Sequence, residues 1–170
     1  MLMQNEKRLY TDPLGFLNFW IGNDGTNYLA QQRSYALVYN GKLVYRGSEL
    51  SQIVFSPNGK HYGYIIGGGG AIVDGSTKVG AVHFTQLTDL GHFAYWGDKP
   101  GSLQFAAYVD GKIVDPVATS AYINEDATHI LTGYGNDTSW KLDNKPVQLD
   151  NANGGFEFDN NILYVYRLTN

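Results

Sequence analysis

The chain has 170 residues, a length typical of one domain, and its lack of cysteine excludes disulfides, thiolate nucleophiles and cysteine-ligated metals. Its 12 lysines and arginines face 16 acidic residues, and this net charge of -4 leaves no basic excess to neutralise nucleic-acid phosphates. Abundant glycine (21 residues) and tyrosine (13 residues) favour strands and turns over helices, so the composition predicts an all-β protein.

The first residues and the hydropathy of the chain bear on its location. Residues 1–8 lack the apolar core of a secretory signal, and no segment approaches the ~20 apolar residues of a membrane-spanning helix. The low content of charged residues, 16%, together with many Asn, Gly, Thr and Tyr residues, is typical of exported surface proteins. Either the protein is cytosolic or its sequence begins after the removal of a signal. The composition favours the second, so we expect an extracellular or periplasmic protein without a membrane span.

A hairpin pattern recurs four times along the chain. Each copy has an apolar run, a tight polar turn and a second apolar run. Asn-Gly and Asp-Gly are strong hairpin signals, because both central residues of a type I′ turn need positive φ. The turns begin at Asn40, Asp74, Asp110 and Asp143, which are 34, 36 and 33 residues apart.

A second kind of hairpin alternates with the first. It opens on a strand with an aromatic residue, passes through a polar turn and continues into another strand. The aromatic residues are Phe55, Phe84, Tyr122 and Phe156. The two hairpins together make a unit of four strands, a to d, in roughly 30–38 residues without a helix, which is the period expected of β-propeller blades.

These repeats predict a single domain over residues 1–170, a propeller-like array of four-stranded antiparallel units with about four to five blades. The predicted units cover residues 8–47, 52–80, 81–117, 119–149 and 154–168. In the first unit, residues 8–11 would be strand a and Phe16–Ile21 strand b. The last unit would contain strands a and b alone.

Closure of the array depends on its ends, because an open arc leaves exposed sheet edges. We expect residues 162–168 to complete the first unit and close the ring. The alternating residues of that strand would then lie in the core, namely Ile162, Tyr164, Tyr166 and Leu168. The alternative is an open arc that belongs to a longer propeller or pairs its edges with another chain.

Residues 55–64 read Phe-Ser-Pro-Asn-Gly-Lys-His-Tyr-Gly-Tyr and resemble the core motif of the WD40-like, TolB-type β-propeller repeats. That motif is an aromatic residue, Ser-Pro-Asp-Gly-Lys, a polar residue and an apolar-x-Tyr strand. Asp110-Gly111-Lys112 is similar to the hairpin that follows it in the family. The other units depart from the pattern, with Thr85-Gln86 and Ile123-Asn124 in place of Ser-Pro. The resemblance implies a rigid disc that presents loops, built in the family from six or seven blades of about 40 residues.

His61, His92 and His129 occupy equivalent places in three units, just after the turn that begins strand b. A metal cluster near a common axis is one interpretation. We favour the other, in which they are polar residues beside turns, because each lies in a different blade.

No phosphate loop or calcium loop is indicated either: residues 67–70 lack a following Gly-Lys-Ser/Thr sequence, and residues 150–154 break the calcium-ligand spacing. We therefore expect neither a metal nor a cofactor.

Two tryptophans stand beside loops and carboxylates. Trp96 precedes Asp98, and Trp140 follows Asp137. Aromatic faces with neighbouring carboxylates suit sugars or peptide segments, so these four residues are the candidate binding site.

The sequence favours a non-enzymatic binding module that contacts a protein or glycan through its blade loops. One alternative is a structural subunit of a surface appendage or phage particle, which would form homo-oligomers through its terminal strands. A second is a propeller-type hydrolase, although the sequence has no Gly-x-Ser-x-Gly elbow and no His-Glu-x-x-His motif.

Overall fold

The computed structural model describes residues 2–4, 7–10, 15–33, 35–47, 50–67, 70–80, 82–134, 139–149, 156–159 and 161–165. Within these ranges it contains twenty β-strands and no helix, and every strand pairing is antiparallel. The all-β class predicted from the composition is confirmed.

The strands form two terminal hairpins and four sheets. The N-terminal hairpin consists of β1 (Leu2–Gln4) and β2 (Lys7–Tyr10). Sheet I contains β3 (Phe16–Ile21), β4 (Tyr28–Gln32), β5 (Ala36–Tyr39) and β6 (Lys42–Arg46). Sheet II contains β7 (Leu50–Phe55), β8 (Tyr62–Ile66), β9 (Gly70–Val73) and β10 (Thr77–Val79).

The second half of the chain follows the same plan. Sheet III contains β11 (His83–Leu87), β12 (Phe93–Asp98), β13 (Phe105–Val109) and β14 (Lys112–Asp115). Sheet IV contains β15 (Ser120–Ile123), β16 (Ile130–Gly133), β17 (Ser139–Leu142) and β18 (Lys145–Gln148). The C-terminal hairpin consists of β19 (Phe156–Asp159) and β20 (Ile162–Val165).

Each four-stranded sheet is a meander whose strands a to d follow one another in sequence. Because neighbouring strands are antiparallel, the a–b and c–d turns lie at one end of each sheet, here called the upper end. The b–c loops lie at the lower end. The c–d turns have the positive φ angles that the Asn-Gly and Asp-Gly pairs predicted: Asn40 (47°), Asp74 (49°), Asp110 (49°) and Asp143 (51°).

Consecutive sheets pack face to face, and strand b is largely buried on both faces. Tyr62 and Tyr64 of sheet II pack with Leu29 and Leu37 of sheet I, whereas Ile65 belongs to the core between sheets II and III. Sheets III and IV meet through small residues and Val109 and Ile123. Each large side chain buried in these layers contributes roughly 1.5–3 kcal/mol.

The first sheet differs from its prediction. Phe16–Ile21 is strand a and not strand b, since it pairs with β4, a strand that the sequence did not reveal. Strand β4 was missed because it contains Gln31 and Gln32, polar residues that are nevertheless buried. The segment expected to supply strand a overlaps β2, which pairs with β1 instead.

The C-terminal strand also differs from its prediction. Ile162 is 57% exposed and Tyr164 is 43% exposed, so these two residues are not in the core. Tyr166 and Leu168 lie outside the described residues. Sheet I already has four strands of its own, and among the described strands β20 pairs with β19 alone. The expected completion of the first unit by residues 162–168 is therefore wrong.

Candidate binding surface

A histidine and an aspartate join the two upper turns within each of three sheets. The Nδ1 atom of His61 lies 2.8 Å from an Asp74 carboxylate oxygen, and His92 lies 2.7 Å from Asp110 in the same way. The third pair, His129 and Asp143, is separated by 2.9 Å. These contacts tie the start of strand b to the c–d turn of the same sheet.

The second carboxylate oxygen of each aspartate accepts a backbone N–H from the residue that follows the histidine. For Asp110 this donor is Phe93, at 3.0 Å. Sheet I uses an amide in the same place, since Asn40 Oδ1 accepts the N–H of Tyr28 at 2.8 Å. Asn40 also donates to Asn27, which replaces the histidine. The motif is therefore a structural clamp repeated in four sheets.

Burial alone would raise the pKa of Asp143, but hydrogen bonds from His129 and the N–H of Ile130 outweigh it. The pKa of this carboxyl group is therefore held below its ordinary value. The aspartate is the charged acceptor of its clamp.

Ser56, His61 and Asp74 have the residue types of a hydrolase triad, but their hydrogen bonds differ. Ser56 Oγ accepts the backbone N–H of His61 at 3.1 Å, and no imidazole nitrogen of His61 is among its partners. A triad needs the imidazole to receive the hydroxyl proton. In sheet IV the serine is replaced by Asn124, which accepts the N–H of His129 at 2.8 Å. These hydrogen bonds stabilise the a–b turn and do not have the geometry of a catalytic triad.

Acidic side chains near the upper end link consecutive sheets. A cleft of about 710 Å³ includes Asp89 and Glu125 in its lining. Asp89 accepts the N–H of Asn58 at 2.6 Å, and Glu125 accepts the N–H of Leu90. These carboxylates already bind backbone donors of the preceding turn. Among the described residues, no group of three His, Cys, Asp or Glu side chains is arranged to hold a metal ion.

The lower end of sheet III carries a different feature, an aromatic cluster around Trp96. The ring of His83 on strand a stacks against Trp96 with 6.0 Å between centroids and 23° between planes. Phe105 on strand c meets Trp96 edge to face at 4.9 Å and 74°. Strand register explains the cluster, because His83 lies directly opposite Trp96.

Exposed apolar side chains lie at the same end of the sheet as this cluster. Val82 and Phe105 are exposed, and Leu103, in the b–c loop, is fully exposed at 105%. Asp98 lies two residues after Trp96, so both side chains are on one face of β12, and Asp98 is exposed. We call Val82, His83, Trp96, Asp98, Leu103 and Phe105 the Trp96 patch. It combines an apolar surface with one carboxylate.

The second predicted pair does not form such a surface. Trp140 is only 5% exposed and packs against Phe156 at 4.3 Å and Tyr122 at 6.2 Å. Its ring lies over Gly133, where an added Cβ would come within 2.4 Å of it. Trp140 is thus a core residue between sheet IV and the C-terminal hairpin, and its assignment to a surface contact is wrong. Asp137 lies outside the described residues.

Sequence reasoning missed four members of the Trp96 patch, namely Val82, His83, Leu103 and Phe105. Val82, His83 and Leu103 give no local signal, because nothing near them in the chain distinguishes them from ordinary strand or loop residues. The alignment of Phe84 with Phe55 did contain the missing information. The alignment places His83 at the start of strand a. Once the register of the a–b hairpin is known, the pairing of His83 with Trp96 follows.

One buried carboxylate lies away from both ends. Asp115 is 1% exposed and accepts hydrogen bonds from Lys141 at 2.8 Å, Thr132 at 3.2 Å and the N–H of Val117 at 3.1 Å. Desolvation alone would raise the pKa of Asp115, but these hydrogen bonds, Lys141 first, hold it below the ordinary value. With its oxygens occupied, Asp115 joins sheet III to sheet IV as a structural residue.

A scan against protein-family models finds no match to this chain, and a search of curated proteins finds none. The resemblance of residues 55–64 to WD40-like repeats therefore stays a prediction. No described helix is long and apolar enough to cross a membrane.

Proposed function

We propose that the protein is a non-enzymatic binding module and that the Trp96 patch is its contact surface. The observation that carries the proposal is the set of solvent-exposed apolar side chains that share the lower end of sheet III with Trp96 and its ring contacts. Soluble proteins rarely expose apolar groups together unless they bind something, and tryptophan is enriched in the energetic centre of interfaces.

The chemistry of the patch favours a peptide segment of a protein over a glycan. A sugar ring needs a free flat aromatic face and several polar side chains to bind its hydroxyl groups. Here His83 stacks on Trp96 and Phe105 meets it edge to face. The neighbours Val82 and Leu103 are apolar, and Asp98 supplies one carboxylate. An apolar segment that carries a lysine or arginine matches this composition.

We also propose that the four sheets are blades of a propeller. The repeated meander, the face-to-face packing of consecutive sheets and the motif at residues 55–64 support this arrangement. A propeller would present the Trp96 patch on a fixed scaffold, as the WD40-like propellers that residues 55–64 resemble present their loops. We further propose an extracellular or periplasmic location, which the composition favours.

Peptide selection from a random display library, followed by calorimetry on the selected peptides, tests the binding function. Leu103→Asp should weaken binding at least tenfold, because it places a charge in the apolar surface without touching the core. Leu90→Asp is the matched control, since Leu90 is also exposed but lies at the upper end of the same sheet. Enrichment of no peptide, or equal affinity of the Leu103→Asp variant and the wild type, would contradict the proposal. A parallel glycan array would reveal a sugar ligand instead.

The structural-subunit alternative is favoured by one observation. Both terminal hairpins are two-stranded, so each leaves strand edges that could pair with another chain. Light scattering separates the two functions, because a subunit would form polymers or rings whereas a binding module would remain a monomer on dilution.

A further inference from the structure

We infer that the N-terminal hairpin supplies strands c and d of a fifth sheet, whose strands a and b are the C-terminal hairpin. In the structure the two hairpins are separate two-stranded sheets, and the inferred pairing of β1 with β20 would join them and close the array. This inference goes beyond the proposed binding function but rests on the proposed propeller arrangement. The evidence for it begins with the residue pairing in the hairpins.

The N-terminal hairpin has the register of a c–d hairpin. In sheet III, Val109 pairs with Lys112 across two intervening residues, Tyr108 pairs with Ile113, and an irregularity follows. Sheet I repeats the pattern, with Tyr39 opposite Lys42, Val38 opposite Leu43 and then an irregularity.

The N-terminal hairpin shows the same three features. Gln4 pairs with Lys7 across two intervening residues, Met3 pairs with Arg8, and the register then shifts before Leu2 pairs with Tyr10. A lysine follows the turn in all three hairpins, namely Lys7, Lys42 and Lys112. The c–d hairpin of sheet IV keeps the two-residue turn without the irregularity, and that of sheet II has a three-residue turn, so the full match is to sheets I and III.

The C-terminal hairpin occupies the place of strands a and b in the unit after sheet IV. Strand β19 contacts β15, the strand a of sheet IV, as β15 itself contacts β11. Asn124 in the a–b turn of sheet IV donates to Asn161 in the C-terminal hairpin, which continues the hydrogen bonds between successive upper turns. The C-terminal hairpin therefore follows sheet IV as sheet IV follows sheet III, with a turn shortened to two residues from the five or six of the other a–b turns.

The connection from β2 to β3 has the length of a normal link between units. Three residues, 47–49, separate strand d of sheet I from strand a of sheet II, and seven residues, 149–155, follow sheet IV. Five residues, 11–15, separate β2 from β3. A link of five residues spans at most ~17 Å, so β2 ends within that distance of β3, which suits strand d of a preceding unit.

The burial of one face of sheet I agrees with a further sheet packed in front of it. Leu29 and Leu37 face sheet II, whereas Ala30 and Val38 are on the opposite face. Ala30 and Val38 are nevertheless 0% exposed. In sheets II to IV this face packs on the preceding sheet, and a fifth sheet would cover it in the same way.

The register of the missing pairing follows from a rule shared by all four sheets. The second residue of strand b pairs with the last residue of strand c: Leu29 with Tyr39, Gly63 with Val73, Ala94 with Val109 and Leu131 with Leu142. In the C-terminal hairpin, Ile162 is the first residue of strand b, and Gln4 ends the proposed strand c. The rule predicts that Leu163 pairs with Gln4, Tyr164 with Met3 and Val165 with Leu2.

A cysteine pair tests this register directly, because the chain has no cysteine of its own. Residues opposite each other in an antiparallel pair have Cα atoms ~4.5–5.5 Å apart, within disulfide range. Met3→Cys with Tyr164→Cys should form an intrachain disulfide in most molecules after mild oxidation. Gln4→Cys with Tyr164→Cys is the matched control, since neighbouring residues of a strand point to opposite faces. Non-reducing gels at several dilutions and mass spectrometry of linked peptides give the readout.

An intrachain disulfide in the first variant and little in the control would support the inference. Equal linkage in both variants would overturn the register, and absence of linkage would overturn the fifth sheet. Disulfide-linked dimers as the main product would overturn closure within one chain and show that a second copy supplies the hairpin. Peptide binding at the Trp96 patch, measured on the same variants, fails or succeeds separately from the linkage.

Discussion

Nδ1 of His92 and Oδ2 of Asp110 lie 2.7 Å apart and join the a–b turn of sheet III to its c–d turn. Both side chains are about one-third exposed, so their charge interaction contributes little, roughly 0–1 kcal/mol. Asp110 matters more as an acceptor, because it also accepts the N–H of Phe93 while its own φ is 49°. The clamp therefore stabilises a turn whose backbone conformation favours Asn, Asp and Gly.

Asp110→Asn should be almost neutral, whereas Asp110→Ala should be clearly destabilising. Asparagine keeps an acceptor and tolerates positive φ, as Asn40 does in sheet I, so we expect a loss below about 1 kcal/mol. Alanine leaves the N–H of Phe93 without its acceptor and strains the turn, for a loss of about 2–4 kcal/mol. Urea unfolding of both variants measures the difference. Equal losses would show that the charge, and not the acceptor geometry, holds the turns together.

These turns were predictable because a type I′ turn restricts its residues to a few types, and the sequence shows them at regular spacing. Other features depend on contacts between distant segments. Gln31 and Gln32 look like surface residues, yet sheet I buries them. Trp140 looks like a loop-side aromatic residue until Gly133 is placed beneath it and Phe156 beside it. No local pattern contains such pairings between strands.

Gly133→Ala tests the packing of Trp140. The new Cβ would lie 2.4 Å from the Trp140 ring, so the indole must move out of its contact with Phe156. We expect a loss of about 1–3 kcal/mol and a lower Tm. Gly80→Ala is the control, because a Cβ at Gly80 meets nothing within 4 Å. If both variants melt at the wild-type temperature, Trp140 does not hold the C-terminal hairpin against sheet IV.

Acid should weaken the contact that Asp115 makes between sheets III and IV. The pKa of Asp115 is lowered in the folded protein, whereas in the unfolded chain it returns to about 3.9. The unfolded state therefore binds the proton first as the pH falls. The stability that the Asp115 carboxylate contributes is present above about pH 4 and is lost as the pH falls toward the folded pKa.

The measurement for Asp115 is the free energy of unfolding in urea at pH 3 and at pH 7. Asp115→Asn should lower it by about 1–3 kcal/mol at pH 7, because Lys141 loses its charged partner. The same variant should lose less stability between pH 7 and pH 3 than the wild type does. Identical pH dependence of the two proteins would mean that other carboxylates account for the acid sensitivity.

Gln52 makes the most specific contact between sheets II and III. Its side-chain amide donates to the carbonyl of Phe84 at 2.9 Å and accepts the N–H of Phe84 at 2.9 Å, as another strand would. Gln52→Leu removes both hydrogen bonds and leaves two backbone groups at a partly buried position without their partner. We expect a loss of about 1–3 kcal/mol.

Gln86→Leu is the matched comparison for Gln52→Leu. Gln86 occupies a similar place between sheets III and IV but accepts a single hydrogen bond there, from the N–H of Ile123 at 2.8 Å. Thr85 makes a second link in that interface, to the carbonyl of Ala121. The Gln86 variant should therefore lose less stability than the Gln52 variant in urea unfolding. The reverse order would mean that apolar packing between sheets II and III, and not this amide, determines how firmly they are joined.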